Sequence, residues 1–261
     1  MAKDKLTEEN YFSTENQLKY FGSSQIKAFM QCEAKAMAEI RGEYVPEPST
    51  ALLVGSFVDA YFESEDALAR FQLTHPEIFT KSGGLRSDYV RAFQICSRIE
   101  RDPMMMKYLG GQKQVIITED LFGYPFKIKI DSYHPDKAIV DLKVMKDFEP
   151  MYVDGKGKVP FIEAWGYDIQ GAIYQKVEQV AMGRPEPLPF VLAAVTKQPV
   201  PDIGLFQVPQ YKLDAALKIV EANIDRFADI KSGGIDPYRC ERCEYCRETK
   251  VLNSVVVAYD E

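Results

Sequence analysis

The chain has 261 residues, of which 46% are apolar and 27% charged, and it carries a formal net charge of −7. A chain of this length and composition buries a sizeable core, so we expect one large domain and not a mostly disordered chain. The acidic balance argues against binding nucleic acid through overall charge, although it is compatible with a local basic groove. The charged first ten residues and the lack of a run of about 18 apolar residues predict a cytoplasmic protein with no signal peptide and no membrane span.

The first hundred residues are predicted to be mostly helical. Residues 1–22 form a polar segment that we expect to be frayed. The first long helix is expected to have Ser23 or Ser24 as its N-cap and Gly42 after its last turn. Helical spacing of apolar residues predicts helices over residues 23–42, 52–62 and 89–99.

From Lys113 onward the sequence alternates apolar and polar residues and is rich in β-branched side chains, which predicts three strands in succession up to Val144. The elements expected after them are a helix over 160–183, strands over 189–198 and 203–209, and a helix over 210–234. This order favours one α/β domain with a mixed sheet. We divide that domain, 23–250, into a helical part (23–110), a core (111–232) and a Cys-rich tail (233–250).

Two aspartates and a lysine surround a short turn that is centred near Asp136. With that centre, Asp131 and Asp141 lie directly opposite each other on the two arms, and opposed residues have Cβ atoms about 4.5–5.5 Å apart. Because side chains alternate along a strand, Lys129 and Lys143 share their face. The other face is expected to be apolar and to point into a core through Ile128, Ile130, Val140, Leu142 and Val144.

Opposed carboxylates repel each other unless a cation lies between them. Since Mg²⁺ prefers oxygen ligands, the hairpin predicts a metal site with the Lys143 ammonium beside it. The alternative is a solvated hairpin face whose charges pair only as surface groups.

In this order, Asp131, Asp141 and Lys143 resemble the motif of the PD-(D/E)xK nuclease superfamily, in which an aspartate on one strand precedes (Asp/Glu)-x-Lys on the next. Gln170 and Tyr174, four residues apart on the following helix, are similar to the Gln-x-x-x-Tyr motif of its RecB-type branch. In that branch the pair helps hold DNA near the metal. The resemblance implies a restriction-endonuclease-like core, with a central mixed sheet flanked by helices and a helical N-terminal segment.

The segment that begins at Gly55 resembles the Gly-Ser-x-x-His segment of the same branch, with Asp59 at the position of the histidine. An aspartate ligates Mg²⁺ or Mn²⁺ through oxygen, and Glu63, one turn further on, is the other candidate for this ligand. The resemblance also implies that the Leu142 backbone carbonyl is a metal ligand. Asp59 and Glu63 could instead lie on the polar side of an amphipathic helix.

The reaction implied by the resemblance is phosphodiester hydrolysis. A metal ion held by Asp131, Asp141 and Asp59 would polarise the phosphate and lower the pKa of a bound water, and Lys143 would orient or activate that water. The chain is most similar in appearance to exodeoxyribonuclease VIII-like (RecE-type) nucleases of phages and prophages. That similarity implies an exonuclease that resects linear double-stranded DNA for a single-strand annealing protein, and it leaves a homo-oligomer open.

Three of the five cysteines, Cys240, Cys243 and Cys246, have the spacing Cys-x2-Cys-x2-Cys, which suits an iron–sulfur cluster or a zinc ion. The resemblance implies Cys32 as the fourth ligand, because some RecB-type nucleases have one cysteine before the core and three after it around a [4Fe–4S] cluster. Zinc and free thiols stay open as alternatives. Cys96, among apolar residues, is expected to be a buried core thiol.

The lysines that we expect near phosphates are Lys127, Lys129, Lys146, Lys156 and Lys158. The histidines, His75 and His134, each precede a proline and are expected to belong to loops. Two other functions stay open. One is a catalytically inactive nuclease-fold module that binds DNA, and the other is a metal-stapled protein whose tail docks a partner.

Overall fold

The computed structural model describes residues 6–252 together with 254 and 255. Its α-helices are α1 Thr14–Lys19, α2 Ser23–Gln31, α3 Glu33–Arg41, α4 Thr50–Glu63, α5 Glu65–Thr74, α6 Ser87–Glu100, α7 Pro103–Leu109, α8 Phe161–Ala164, α9 Tyr167–Ala181, α10 Gln210–Ser232 and α11 Glu244–Glu248, with a short 3-10 helix at Pro76–Ile78. Its strands are β1 Gln112–Leu121, β2 Tyr124–His134, β3 Ala138–Met145, β4 Met151–Val153, β5 Gly157–Val159, β6 Phe190–Thr196 and β7 Ile203–Gln207.

Five strands form one sheet in the order β1-β2-β3-β6-β7. The β3 and β6 strands are parallel and the other neighbours are antiparallel, so the sheet is mixed, as the sequence predicts. Parallel neighbours need a crossover connection, which here contains α8 and α9. The remaining strands, β4 and β5, form a separate two-stranded hairpin that sequence analysis misses, because each strand has only three residues.

Both faces of the main sheet are covered by apolar clusters. One cluster joins Ile128 and Ile130 to residues of α2, α3, α9 and α10. The other joins Val140 and Leu142 to residues of α4, α6 and α7. The prediction that these four side chains share one apolar face, with a charged face opposite, is therefore wrong. The acidic residues lie inside a sheet that is packed on both sides.

The helix predicted over residues 23–42 is two helices, because the chain is extended at Cys32, with φ −162° and ψ 107°. Gly22 is the N-cap of α2, so the prediction of Ser23 or Ser24 at that position is wrong. Gly42 ends α3 in the left-handed conformation, φ 73°, as predicted.

The expectation of a frayed N-terminal segment is wrong for residues 6–22. Tyr11 is buried, and Phe21 forms a backbone bridge with Phe126 at the sheet. The Lys231 ammonium donates to the Tyr20 carbonyl at 2.9 Å. Burial lowers the pKa of Lys231 to about 7. These contacts attach the segment to β2 and α10.

The helix predicted over residues 160–183 is divided into α8 and α9 by Gly166, which has φ 62° in the left-handed region that favours glycine. Elsewhere the predicted helices match α4, α6 and α10 in place. Within the described residues, no helix is both long enough and apolar enough to cross a membrane.

Candidate active site and cysteine cluster

The β2–β3 hairpin turns at Asp136, φ 64°, as predicted, and its pairing ends at Ser132 and Val140. The next residues on the two arms are Asp131 and Asp141. Asp131 Oδ2 accepts a hydrogen bond from the Leu142 backbone N–H at 3.0 Å, so a side chain bonds the neighbouring strand where the backbone ladder has ended. The two aspartates are thus brought together on adjacent strands, with their arms opened at this point.

The buried Asp141 carboxylate and the partly exposed Lys143 ammonium form an ion pair, with Asp141 Oδ2 2.5 Å from Lys143 Nζ. Burial raises the pKa of Asp141 to about 6, although the Lys143 ammonium opposes this shift. Burial by itself would lower the pKa of Lys143, but the carboxylates of Asp141, Asp131 and Asp59 outweigh it and raise that pKa. Lys143 is therefore held as an ammonium group.

The α9 helix supplies two polar side chains to this site. Gln170 Nε2 donates to Asp141 Oδ1 at 2.6 Å, and the Tyr174 hydroxyl donates to the Lys129 carbonyl at 3.0 Å. Both side chains lie on the sheet side of the helix, as their spacing predicts. Gln170 orients the Asp141 carboxylate, and Tyr174 fixes β2 beside it.

A cavity of about 190 Å³, here called the site cavity, contains these groups. The residues of the core that line it are Asp59, Lys127, Lys129, Asp131, Asp141, Lys143, Gln170 and Tyr174. The N-terminal residues that line it are Tyr11, Phe12, Gln17, Gly22, Ser23, Ser24 and Lys27. Sequence analysis did not find the N-terminal part of this wall. Its placement depends on contacts between residues that are far apart in the chain.

Asp59 lines the site cavity and also a small neighbouring cavity that Glu63 shares. Burial raises the pKa of Asp59, and the nearby Asp131 carboxylate raises it further. Glu63 lies 3.5 Å from Arg70 and does not line the site cavity. Of the two upstream candidates, Asp59 lines a cavity together with both aspartates of the hairpin, whereas Glu63 shares a cavity with Asp131 alone.

Of the lysines predicted to contact phosphate, Lys127 and Lys129 both line the site cavity. Lys127 is nevertheless wrongly assigned, because it is 2% exposed and its ammonium donates to the Tyr11 carbonyl and lies over the Tyr11 ring. Outside that cavity lie Lys146, which is exposed, Lys156, which is 3.8 Å from Glu163, and Lys158 on β5.

Two further residues at the site were missed by sequence analysis. The Lys27 ammonium lies 5.4 Å from the centre of the Tyr167 ring, and that of Lys143 lies 5.7 Å from the same ring. Burial lowers the pKa of Lys27 to about 8, and the nearby Lys143 ammonium lowers it too. Lys27 lies one helical turn after Ser23, within the helix predicted to begin at residue 23. The sequence predicts the helix but does not show which face of it lines the site.

The four cysteines that sequence analysis grouped lie together, with their sulfur atoms within 4.8 Å of one another. Cys32 Sγ is 3.5 Å from Cys246 Sγ, which is 4.0 Å from Cys240 Sγ. Backbone N–H donors lower the pKa of Cys240 to about 6, which favours its thiolate, whereas burial raises that of Cys246 to about 12. Four sulfurs at this separation match the tetrahedron around one zinc ion, because Zn–S bonds of about 2.3 Å place the sulfurs about 3.8 Å apart. A [4Fe–4S] cluster would require the four sulfurs to move farther apart.

Glu33, next to Cys32, attaches the tail to the rest of the domain. Its carboxylate accepts two hydrogen bonds from Arg226 of α10 and one from the Tyr238 backbone N–H, each at 2.7 Å. The fifth cysteine, Cys96, is fully buried in the apolar cluster around α6, as expected.

The histidines have structural contacts. His75 Nδ1 lies 2.9 Å from the Phe71 carbonyl at the end of α5, and His134 Nε2 lies 2.7 Å from the Tyr108 carbonyl. Neither lines the site cavity.

The restriction-endonuclease-like fold, with Asp131, Asp141 and Lys143 on neighbouring strands, defines the class of protein as a PD-(D/E)xK nuclease. Residues 22–249 match the model of a PDDEXK-like domain of unknown function, DUF3799. The chain belongs to this family.

One solved structure agrees with this classification. A crystal structure of a candidate exonuclease from Eubacterium rectale is 45% identical, covers 97% of this chain and 96% of its own, and has a TM-score of 0.92. A second structure, that of SSO0001, is 14% identical over 74% of this chain and 84% of its own, with a TM-score of 0.28. No curated protein matches the chain significantly.

Proposed function

We propose that the protein is a divalent-metal-dependent DNA exonuclease that hydrolyses phosphodiester bonds at the ends of linear double-stranded DNA. The observation that carries the proposal is the convergence of Asp131, Asp141 and Lys143 in one cavity on the opened end of the hairpin. Exonuclease action is supported by the similarity to the Eubacterium rectale protein, which is itself described as a candidate exonuclease.

The residues that would hold Mg²⁺ or Mn²⁺ are Asp131 and Asp141, with Asp59 and the Leu142 carbonyl completing the oxygen ligands. Asp131, Asp141 and Asp59 line one cavity, and such a group of carboxylates suits a hard cation because these cations prefer oxygen ligands. When bound, the ion would supply positive charge to the phosphate and lower the pKa of a bound water.

Lys143 would act as a fixed positive charge. The carboxylates of Asp141, Asp131 and Asp59 favour its ammonium form by raising its pKa. Its N–H groups would donate to a phosphate oxygen or orient the water, and they would stabilise negative charge that develops at the phosphate. Gln170 holds the Asp141 carboxylate in place, so Asp141 keeps its orientation when the substrate enters.

The biological setting stays a prediction. A role in phage-type recombination and an annealing-protein partner are implied by the RecE-type resemblance, which leaves a homo-oligomer open. Cytoplasmic action is the expectation from the charged first ten residues and the lack of a long apolar run. The four cysteines would hold a [4Fe–4S] cluster or a zinc ion that joins the Cys32 helix break to the tail.

The test is the Asp141→Ala variant, assayed for nucleotide release from linear duplex DNA with and without Mg²⁺ or Mn²⁺. We expect normal folding and DNA binding but loss of metal-dependent release. Asp120→Ala, at an exposed position on β1, is the matched control and is expected to keep activity. Equal cleavage by Asp141→Ala and the wild type would overturn the proposal, and a wild type without cleavage would favour an inactive DNA-binding or docking module. Nicking of a covalently closed circle would contradict end-dependent action.

A further inference from the structure

A small cavity of about 10 Å³ lies next to the site cavity. Asp59 and Asp131 line both cavities, and Leu142, whose carbonyl is a proposed metal ligand, lines the small cavity as well. The other residues that line the small cavity are Phe62, Glu63, Leu109, Lys113 and Gln114. A volume of about 10–15 Å³ is the least that holds one water. The small cavity therefore has room for a single water beside the residues that would hold the metal ion.

The β1 strand departs from regular geometry at the small cavity. Gln114 has a left-handed backbone, with φ 51°, within this strand. Successive side chains of a regular strand point to opposite faces, yet Lys113 and Gln114 both line the small cavity. The β1–β2 register is the same before and after Gln114, so this residue does not form a bulge that inserts an extra position. A left-handed conformation is unfavourable for a residue other than glycine, and such residues are concentrated at functional sites.

The Gln114 side chain carries a hydrogen-bond acceptor without a donor. Its Oε1 atom is buried and has no hydrogen-bond partner among the residues that the structure describes. Buried acceptors in proteins are almost always paired with a protein donor or with ordered water. The β1–β2 pairing on either side places Gln114 opposite Asp131. Because an ionised carboxylate is also an acceptor, a donor is needed between these two side chains.

A water fits this position better than a metal ion does. A water has two hydrogens, one for Gln114 Oε1 and one for Asp131, and its oxygen can accept from the Lys113 ammonium. That ammonium donates to the Leu109 carbonyl and has three donors in all. Burial lowers the pKa of Lys113, and the carboxylates of Asp131 and Glu63 oppose this shift. A cation in the small cavity would be repelled by the ammonium, and Mg²⁺ usually keeps several waters, which about 10 Å³ does not hold.

We propose that Gln114 is a positioning residue that holds one water against the Asp131 carboxylate. The proposal rests on the proposed nuclease function, in which Asp131 is a metal ligand, and it names a support for that ligand. The β2 strand lies between β1 and β3, and Asp131 accepts from the Leu142 N–H of β3. The water would support the same carboxylate from β1. Hydrogen bonds from both neighbouring strands would fix its orientation, and such support is usual for carboxylates that bind metal ions.

A crystal structure of the full chain in EDTA is the direct test. We expect density for one water within hydrogen-bond distance of both Gln114 Oε1 and a carboxylate oxygen of Asp131. A cavity without density, or an anomalous signal from Mn²⁺ in the small cavity after a Mn²⁺ soak, would overturn the proposal. This result does not depend on whether the protein cleaves DNA.

The effect on Asp131 is measured by calorimetry of Mn²⁺ binding without DNA, since Mn²⁺ prefers carboxylates to thiolates. Gln114→Met keeps a side chain of similar size without the amide oxygen, and it is expected to bind Mn²⁺ about tenfold more weakly or worse. Gln114→Glu keeps an acceptor oxygen and is expected to bind at least as tightly as the wild type. Gln112→Met is the matched control, because Gln112 is exposed on the same strand and does not line the small cavity.

Gln114→Gly provides a second variant if Gln114→Met fails to fold. Because glycine adopts a left-handed backbone without strain, this variant is expected to keep the urea midpoint of the wild type and still to bind Mn²⁺ about tenfold more weakly. Equal Mn²⁺ affinity of Gln114→Met and the wild type, or equal losses in Gln114→Met and Gln114→Glu, would overturn the positioning role. Failure of the proposed function is a separate result, since the wild type itself would then show no metal-dependent cleavage.

Discussion

The Asp131 carboxylate accepts a hydrogen bond from the Leu142 N–H across the opened end of the β2–β3 hairpin, at 3.0 Å. One side chain therefore has two roles, because it satisfies a backbone donor and presents negative charge to the site cavity. These roles can be separated by substitution, since asparagine keeps an acceptor oxygen but carries no charge.

Asp131→Asn is expected to fold with near wild-type stability and to cleave DNA more than about 100 times more slowly. Mutating a residue that only supports a metal ligand typically reduces activity about 10–100-fold, and losing a ligand itself should cost more. Asp131→Ala is expected to lose cleavage and also about 1–3 kcal/mol of unfolding free energy, since the Leu142 N–H loses its acceptor. Urea unfolding and nucleotide release measure the two effects. Asp136→Asn, the same change at the exposed turn, is expected to keep activity. Equal stability of Asp131→Asn and Asp131→Ala would contradict the structural role.

Gln170 is expected to act through Asp141. Removing its 2.6 Å hydrogen bond to Asp141 Oδ1 in Gln170→Ala should reduce cleavage about 10–100-fold and raise the metal concentration needed for half-maximal activity, because the carboxylate loses its orientation. Gln175→Ala is the matched control, since Gln175 lies on the same helix but donates to the Leu188 carbonyl. A metal titration that is identical for Gln170→Ala and the wild type would contradict the positioning role.

The proximity of Asp131 and Asp141 was predictable because it follows from local information. Alternating strands and a turn residue that tolerates positive φ at Asp136 fix which residues approach each other. The fold class follows in the same way from the order of helices and strands, and the structure confirms it.

The features that sequence analysis missed depend on contacts over long sequence separations. The break at Cys32 accompanies a sulfur contact with Cys246, and the burial of Lys127 follows from the Tyr11 carbonyl above it. The sequence around Cys32 does not indicate a helix break, because a cysteine is compatible with an unbroken helix. The sequence around Lys127 does not indicate burial, because a lysine is compatible with an exposed position on a strand. The same reason explains why the Lys27 side of the cavity was not predicted.

The cysteine cluster is expected to bind a metal in the purified protein. Cys32→Ser should remove that metal and Cys96→Ser should retain it, because Cys32 Sγ belongs to the cluster and Cys96 lies in an apolar core. Metal content by mass spectrometry measures the effect, and a brown colour with visible absorption after anaerobic purification distinguishes iron–sulfur from zinc. If the free metal concentration is about 100 times the Kd of the site, a variant that no longer binds the metal has an unfolding free energy lower by about 2.7 kcal/mol. Equal metal content in both variants would contradict the cluster.

Glu33 gives a prediction for the dependence of stability on pH. Hydrogen bonds from Arg226 lower the pKa of Glu33 below its ordinary value of 4.5. A carboxylate with a lowered pKa in the folded state contributes stability that is fully present above its unfolded pKa and is lost as pH falls through its folded pKa. Glu33→Gln is therefore expected to lower the unfolding free energy at neutral pH by about 1–2 kcal/mol, since Arg226 is half exposed.

The difference between Glu33→Gln and the wild type should shrink as pH falls below 4.5, because Glu33 is protonated first in the unfolded chain and, at lower pH, in the folded protein. Urea unfolding at neutral pH and at steps below that value measures it. Glu39→Gln, on the same helix, is the matched control and is expected to cost less than about 1 kcal/mol, because Glu39 pairs only with Lys35 at 3.7 Å near the surface. A deficit for Glu33→Gln that stays constant with pH would show that packing, and not the charge on Glu33, joins the Cys32 region to the tail.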